Sequence, residues 1–212
     1  MKTYLNNLPK EIQNLIRLTG DIASQNNMYA YLVGGFVRDL ILGAKNLDLD
    51  IVVEGEGIKF AEALAQRLQA KLIRHRRFGT ATVILKKRLK VDIATARSEV
   101  YPKPAYLPIV RPGRLQDDLF RRDFGINCLA MSINQADFGR IIDLYGAKED
   151  LRRRRIRILH GLSFIDDPTR ILRGVRFAAR YNFRLEAGTR QLLEEALKSK
   201  MLDKVQPQRT RD

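Results

Sequence analysis

Two glycines between two short apolar runs constrain the fold of this chain more than any other feature. Residues 31–33, before Gly34 and Gly35, are typical of a buried strand, and residues 51–53 are typical of another. The stretch between them predicts a short basic helix that begins at the glycines. The sequence therefore predicts a unit of strand, glycine turn, helix and strand.

The polar residues of this unit have the chemistry of a phosphate and metal site. Because Gly34 and Gly35 lack a Cβ, the backbone can approach a ligand closely, and the helix that follows points N–H groups at it. Asp48 and Asp50 project from one face of a strand and repel each other unless a cation lies between them. Mg²⁺ prefers hard oxygen ligands and substrate phosphates, so the pattern indicates phosphoryl or nucleotidyl transfer. Taken singly, a glycine pair is more often a plain turn, and an Asp-x-Asp pair is more often a solvated strand end.

The net charge of the chain favours a polyanionic partner. Lys and Arg number 39 against 24 Asp and Glu, which gives a formal charge of +15 and an isoelectric point near 10.2. This excess favours RNA or DNA through counterion release, although it also fits a basic protein whose charge only aids solubility. No apolar run approaches the roughly 20 residues of a membrane span, so we expect a cytoplasmic protein without membrane contact. A single cysteine, Cys128, excludes an intrachain disulfide and a cysteine-rich zinc cluster.

Two later stretches place arginines beside acidic residues. The first contains Arg122 and Asp123, with Asn127 shortly after them. The second, residues 166–180, predicts a helix with an acidic N-cap and a proline in its first turn. Arginines recur there every three residues and are expected along one side, opposite an apolar packing face. The arginines are Arg170, Arg173 and Arg176, and the apolar residues are Ile171, Leu172, Val175 and Ala179. On their own, these arginines would favour an amphipathic surface helix.

Together these stretches resemble the motifs of the DNA polymerase beta-like nucleotidyltransferases. The resemblance is to the bacterial class that contains tRNA nucleotidyltransferases and poly(A) polymerases. It rests on the glycine pair with Asp-x-Asp, on Arg-Arg-Asp-Phe followed by Ile-Asn, and on Asp-Asp-Pro-Thr-Arg, in the family's order. The second motif departs from the family at two positions, because Gly125 and Cys128 stand where the family usually has threonine and alanine.

The resemblance implies a role for each residue of the first motif. Asp48 and Asp50 would bind two Mg²⁺ ions, which lower the pKa of an attacking 3′ hydroxyl and neutralise the leaving pyrophosphate. Gly34, Gly35 and Arg38 would hold the triphosphate of the incoming nucleotide.

The later motifs would complete the nucleotide site. Arg122, Asp123 and Asn127 would recognise the sugar and phosphates, because a guanidinium pairs with phosphate oxygens while a carboxylate and an amide bind ribose hydroxyls. Asp167 and Arg170 would make Watson-Crick-like hydrogen bonds to the base, so that protein replaces a nucleic-acid template. Further contacts to phosphates would come from Arg173 and Arg176.

Two further features lie between the first and second motifs. Asp92 occupies a strand-like segment where the wider superfamily places a third carboxylate, which binds metal or accepts the proton of the attacking hydroxyl. The competing interpretation is an aspartate that orients arginines such as Arg97. Residues 97–116 contain four prolines without a clear period, and they predict a loop of about twenty residues. In the resembled family, a flexible loop here helps to position the nucleotide.

The sequence thus predicts an α+β fold, with a polymerase beta-like nucleotidyltransferase head of mixed sheet and helices in residues 1–157. An all-α neck is expected in residues 158–212, truncated before the body and tail domains of the family. The expected activity adds C, A or both from CTP and ATP to the 3′ end of tRNA with Mg²⁺. A bacterial poly(A) polymerase and a non-catalytic RNA-binding module are the alternatives. The sequence does not indicate an oligomeric state.

Overall fold

The computed structural model describes residues 4–86, 89–206 and 209. Its α-helices are α1 (Lys10–Gln25), α2 (Gly35–Leu42), α3 (Gly57–Leu68), α4 (Leu115–Phe120), α5 (Ala147–Arg152), α6 (Ser163–Asp166), α7 (Thr169–Tyr181) and α8 (Ala187–Lys198). Its strands are β1 (Tyr29–Val33), β2 (Leu49–Glu54), β3 (Lys71–His75), β4 (Thr80–Ile84), β5 (Lys90–Thr95), β6 (Arg97–Val100), β7 (Ile109–Pro112), β8 (Ala130–Ser132), β9 (Ile141–Ile142), β10 (Arg155–Ile156) and β11 (Arg184–Leu185). The predicted strand, glycine turn, helix and strand are confirmed as β1, α2 and β2.

The described strands build one central mixed sheet and two small ones. The central sheet has seven strands in the order β3, β4, β5, β2, β1, β8 and β9. Strands β2 and β5 are parallel, whereas the other neighbours are antiparallel. Parallel neighbours need a long crossover connection, which α3 and the β3–β4 hairpin provide here. The predicted fold class is therefore confirmed for the head.

The two faces of the sheet are covered differently, and this difference positions the site. Alternate residues of a strand point to opposite faces, so Ile51 and Ile93 pack into the large core that also contains residues of α1 and α3. Val52 belongs to a smaller cluster on the other face, which α4 covers through Leu115 and Leu119. By the same alternation, side chains at positions 50 and 92 lie on the α4 side of the sheet.

The neck region shares the large core with the head. Phe164 of α6, Ile171 of α7 and Leu193 of α8 all belong to that core. Strand β11 pairs in parallel with β10, with Ile156 opposite Leu185. Apolar packing and this short sheet therefore hold the helices of the neck against the head. Among the described helices, none is long and apolar enough to cross a membrane.

The prediction of a twenty-residue loop at 97–116 was wrong. Strands β6 and β7 form an antiparallel hairpin, with Val100 opposite Ile109, and α4 begins at Leu115. All four residues of β7 are exposed, so its sequence lacks the polar and apolar alternation that marks a half-buried strand. The prolines are compatible with the hairpin because three lie in its connection and Pro112 ends an edge strand.

The predicted faces of α7 were also partly wrong. Arg170 is buried at 4% exposure, while Leu172 and Val175 are 41% and 55% exposed. The buried side consists instead of Arg170, Ile171 and Gly174. Gly174 packs so closely on the ring of Phe124 that a Cβ there would lie 2.9 Å from it. Three-residue spacing drifts around a helix of 3.6 residues per turn, which is why the arginine row does not stay on one side.

Close packing of α1 on the chain after β8 gives a test of the fold. A Cβ on Gly20 would lie 1.7 Å from the carbonyl oxygen of Ile133, which is too close for any heavy atom. We expect Gly20→Ala to lower the free energy of unfolding by roughly 2 kcal/mol or more, because α1 must shift from its place. Gly161→Ala is the matched control, since nothing lies within 4 Å of its added Cβ. Equal thermal unfolding of the two variants would contradict the close approach.

Candidate active site

The glycine turn, Gly34 and Gly35, lies at the end of β1 and is closed on one side by an arginine from a distant part of the chain. Gly34 has a φ of 63°, in the left-handed region that favours glycine. A Cβ at this position would lie 2.7 Å from Nη1 of Arg122. The missing side chain thus makes room for a guanidinium beside the N-terminus of α2. Unpaired first-turn N–H groups and an arginine together suit a phosphate.

Two carboxylates meet on the sheet next to this turn. Asp50 of β2 and Asp92 of β5 are directly opposite partners in the parallel pair. Both line a cavity of about 440 Å³ together with Arg122 and Thr82, which we call the sheet cavity. Thr82 donates a hydrogen bond from Oγ1 to Oδ1 of Asp92 at 2.6 Å, and Lys90 Nζ lies 3.5 Å from Oδ2. The structure therefore brings Asp92 beside Asp50, because β5 pairs directly with β2.

The electrostatics of Asp50 are those of a cation site. Asp50 is exposed to solvent by its surface area, yet partial desolvation by the surrounding protein is the strongest cause that raises its pKa. Arg122 acts in the opposite direction, and the negative charges of Asp92 and Asp48 raise the pKa further. Carboxylates that repel each other in this way are relieved when a divalent ion lies between them. The donor set, hard oxygens beside a turn that suits a phosphate, fits Mg²⁺.

Asp48 lies at the edge of this arrangement. It precedes β2, is exposed, and has its backbone N–H bound to Oδ1 of Asn46 at 2.9 Å. In the described part of the chain, no three His, Cys, Asp or Glu side chains form a group that could hold a metal ion. A Mg²⁺ site here would thus take protein ligands from one or two carboxylates and the rest from water and substrate phosphates, as is usual for this ion.

Arg38, predicted at the triphosphate, lies beneath the glycine turn with 4% exposure. Its Nε and Nη2 donate to Asp39 at 2.8 and 3.0 Å, and Nη1 donates to Oδ1 of Asn127. Its guanidinium also lies 4.5 Å from the ring centre of Tyr181, whose hydroxyl donates to Asp39 at 3.2 Å. A Cβ on Gly35 would lie 3.3 Å from Arg38 Nη2. Arg38 therefore supports the turn from below and joins α2 to α7.

The second motif also joins the head to α7. Asp123 forms an ion pair with Arg173, and Nδ2 of Asn127 donates to the Asp123 carbonyl at 3.3 Å. Asn127 in turn accepts from Arg38. One polar network therefore lies behind the glycine turn, and it consists of Asp123, Asn127, Arg173 and Arg38. Nucleotide recognition by Asp123 would require its carboxylate to share or exchange the Arg173 partner.

The predicted base-reading pair is held in place by neighbouring groups. Asp167 accepts hydrogen bonds at Oδ1 from Thr169 Oγ1 at 2.7 Å and from Arg209 Nη2 at 3.0 Å. Arg170 donates from Nη1 to Ser163 Oγ at 2.7 Å and from Nη2 to the Arg121 carbonyl at 2.8 Å. Because Arg170 is buried, the structure separates it from the exposed Arg173 and Arg176, although all three belong to α7.

One departure from the resembled motif has a structural reason. Gly125 lies in a short 3₁₀ turn, and a Cβ there would lie 2.1 Å from Oδ2 of Asp150. Asp150 has 0% exposure and pairs with Arg155 and Arg157. Glycine at position 125 therefore makes room for this buried carboxylate.

Residues 30–157 of the chain match the family described as the poly A polymerase head domain. This chain belongs to that family. Its relatives include an A-adding tRNA nucleotidyltransferase of Geobacter sulfurreducens, 45% identical over 93% of this chain and 22% of the relative. A CC-adding tRNA nucleotidyltransferase of Deinococcus radiodurans is 44% identical over 70% of this chain and 40% of the relative.

A solved structure agrees with the fold of this poly A polymerase head. A Thermotoga maritima CCA-adding enzyme complexed with tRNA has a TM-score of 0.88 and 46% identity, over 99% of this chain and 48% of that one. The predicted resemblance is thereby confirmed. The chain spans less than half the length of these relatives.

In this chain, sequence reasoning missed the residues that support the predicted site. Asp118 pairs with Arg121 and Arg122, and Tyr181 packs on Arg38. Asp118 stands three and four residues before its arginines, a spacing that predicts helical ion pairs. Tyr181 offered no comparable signal because it is 142 residues from Asp39, which accepts its hydrogen bond.

Proposed function

We propose that this chain carries the catalytic head and neck of a tRNA nucleotidyltransferase, which adds C, A or both from CTP and ATP to the 3′ end of tRNA. One observation carries the proposal: Asp50 and Asp92 lie side by side in the sheet cavity, next to a glycine turn that faces Arg122. The names of the relatives and the charge of +15 support tRNA as the polyanionic substrate. We place residues 1–157 in the head, residues 158–212 in the neck, and the reaction in the cytoplasm.

In this proposal, the chain's own residues bind and orient both substrates. The N-terminus of α2, with Gly34 and Gly35, and the Arg122 guanidinium hold the triphosphate, and Asp48 and Asp50 bind Mg²⁺. The predicted contact of Arg38 with the triphosphate is replaced by support of the turn from below, because its guanidinium is buried against Asp39 and Asn127. When bound, Mg²⁺ supplies charge neutralisation and lowers the pKa of the attacking 3′ hydroxyl. Asp92 faces the same cavity as Asp50, where its carboxylate contributes to the metal site or accepts the hydroxyl proton.

The neck selects the base and completes the nucleotide site. Asp167 and Arg170 would bind the Watson-Crick edge of the base, and Asp123 and Asn127 the ribose. To reach the base, Arg170 would have to exchange its bonds to Ser163 and the Arg121 carbonyl, and Asp167 its bond from Arg209. The exposed cationic side of α7 gives additional phosphate contacts through Arg173 and Arg176. The proposal leaves open which base is added, because the same carboxylate and guanidinium would serve C and A.

Product length on defined tRNA ends tests the function. Three tRNA transcripts, one without the terminal CCA, one ending in CC and one ending in CCA, are incubated with Mg²⁺ and one labelled nucleotide at a time. Addition that stops at a defined base supports tRNA maturation, and unlimited ATP addition supports a poly(A) polymerase, the activity that the family description suggests. If the chain binds RNA but incorporates no nucleotide, the proposed enzyme activity is refuted and the chain is a non-catalytic RNA-binding module.

Base selection gives a separate prediction. We expect Asp167→Ala to reduce the preference for the correct nucleotide by roughly tenfold or more, because a charge-assisted hydrogen bond to the base contributes about 1.5–3 kcal/mol. The measurement is kcat/KM for CTP, ATP, GTP and UTP with one tRNA end. Asp203→Ala, at a turn after α8, is the control. An unchanged preference in Asp167→Ala would contradict a protein template at this position.

A further inference from the structure

We propose that Asp118 is a positioning residue, which fixes Arg122 so that one guanidinium nitrogen faces the glycine turn and the phosphates of the nucleotide. This inference rests on the proposed nucleotide site. Asp118 lies in α4, has 0% exposure, and takes no part in the predicted motifs. It would act through Arg122 and not on the substrate.

The geometry assigns one oxygen of Asp118 to each of two arginines. Oδ1 accepts from Nε and Nη2 of Arg121 at 3.0 and 2.7 Å. Oδ2 accepts from Nε and Nη2 of Arg122 at 3.0 and 2.7 Å. Two hydrogen bonds from the Nε and Nη2 edge of a guanidinium to one oxygen, here called a two-pronged pair, hold that edge against the carboxylate and turn Nη1 away from it.

The orientation leaves one nitrogen of Arg122 for the nucleotide. With Nε and Nη2 on Asp118, it is Nη1 that lies against Gly34, and Nη1 makes none of the hydrogen bonds found among the described residues. Arg122 also lines the sheet cavity together with Asp50 and Asp92, so its charge lies beside the proposed metal and phosphate site. If Arg122 rotated, its charge would remain, but Nη1 would no longer face the glycine turn.

The second arginine fixes the carboxylate from the other side. Arg121 also pairs with Glu99 at 3.2 Å, and its carbonyl accepts from Arg170. Burial alone would raise the pKa of Asp118, but Arg122 and Arg121 hold it below the ordinary value. Asp118 is therefore ionised throughout the neutral range and keeps both arginines in place.

The test measures ATP affinity and nucleotide kinetics for Asp118→Asn. An asparagine has nearly the same size but lacks the charge, and its amide N–H₂ faces an arginine donor. We expect the Kd for ATP and the KM to rise about tenfold, with kcat changed less, since a phosphate contact acts in the ground state and the transition state alike. Calorimetric ATP binding with Ca²⁺ needs no turnover, so a chain that binds ATP without incorporating it would refute the proposed function and still test this inference.

Asp150→Asn is the matched control for loss of stability. Asp150 also has 0% exposure and pairs with two arginines, Arg155 and Arg157, but it lies outside the sheet cavity. Both variants are expected to lose thermal stability. A rise in the Kd for ATP that is equal in both variants would overturn the proposal, whereas a rise confined to Asp118→Asn supports it.

A second variant keeps the test valid if Asp118→Asn fails to fold. Arg122→Lys retains a positive charge at a position with 18% side-chain exposure but cannot form the two-pronged pair with Asp118. If orientation matters, Arg122→Lys raises the Kd for ATP several-fold. An affinity equal to that of the unmodified chain would show that charge alone suffices, and the role of Asp118 would be refuted.

Discussion

Asp50→Asn is expected to abolish nucleotide incorporation while leaving the fold intact. The carboxylate lies in the sheet cavity opposite Asp92, and the proposed Mg²⁺ depends on its charge. Loss of a metal ligand removes several kcal/mol of transition-state stabilisation, so we expect a decrease in rate on the order of a thousandfold. The measurement is labelled nucleotide incorporation at saturating tRNA. Asp21→Asn is the control, since this partly buried carboxylate of α1 lies outside the sheet cavity and accepts from Gln135 at 2.8 Å.

The same variant has a predicted effect on stability with the opposite sign. Burial and like charges raise the pKa of Asp50, so its ionised form disfavours the folded state. In the absence of metal, Asp50→Asn is therefore expected to unfold at a higher temperature at neutral pH. The advantage shrinks as the pH falls through the raised pKa, because Asp50 itself then becomes neutral. An active Asp50→Asn variant, or one destabilised at neutral pH, would contradict the assignment of Asp50.

Arg38→Ala is expected to be among the most destabilising single substitutions. It removes a guanidinium that is 4% exposed, pairs with Asp39 and packs on Tyr181, and it leaves the Asp39 carboxylate buried without its cation. Breaking a buried pair costs about 3–5 kcal/mol, which corresponds to a fall in Tm of roughly 6–20 °C for a chain of this size. Thermal unfolding without nucleotide measures the loss.

A surface arginine on an aromatic ring provides the control for Arg38. Arg17 lies 4.8 Å from the ring centre of Phe138 but is exposed. Arg17→Ala should therefore cost less than about 1 kcal/mol. Similar melting curves for the two variants would mean that Arg38 is not needed to join α2 to α7, and its contact with the neck would be incidental.

Local signals explain why the strand, glycine turn, helix and strand of the first motif were predicted correctly. The unit from β1 to β2 needs only nearby residues. The expectation that Asp48 and Asp50 share one strand face goes beyond this unit, because Asp48 precedes β2 and lines a different cavity from Asp50. The expected place of Asp92 came from the resemblance to the wider superfamily, and the structure puts β5 beside β2. The prediction of the unit depends on the periodicity and chemistry of a few consecutive residues, whereas the expected place of Asp92 depends on the resemblance.

Tertiary contacts explain what sequence reasoning could not find. Arg38 and Arg170 look like exposed cations in sequence, and both are buried because partners arrive from distant segments: Tyr181 for Arg38, and the Arg121 carbonyl for Arg170. The β6–β7 hairpin escaped prediction since its second strand is exposed throughout. Burial of an arginine depends on its assembled surroundings, and a pattern of residue types does not specify them.

The order of the central sheet has a consequence for the durability of the site. Strands β2 and β5, which carry Asp50 and Asp92, each have a neighbour on both sides, whereas β3 and β9 form the margins. Fraying in a sheet starts at its margins, where backbone groups exchange with water most readily. Heat or denaturant should therefore loosen the outer strands first, and the spacing of the two carboxylates should persist until the whole head melts.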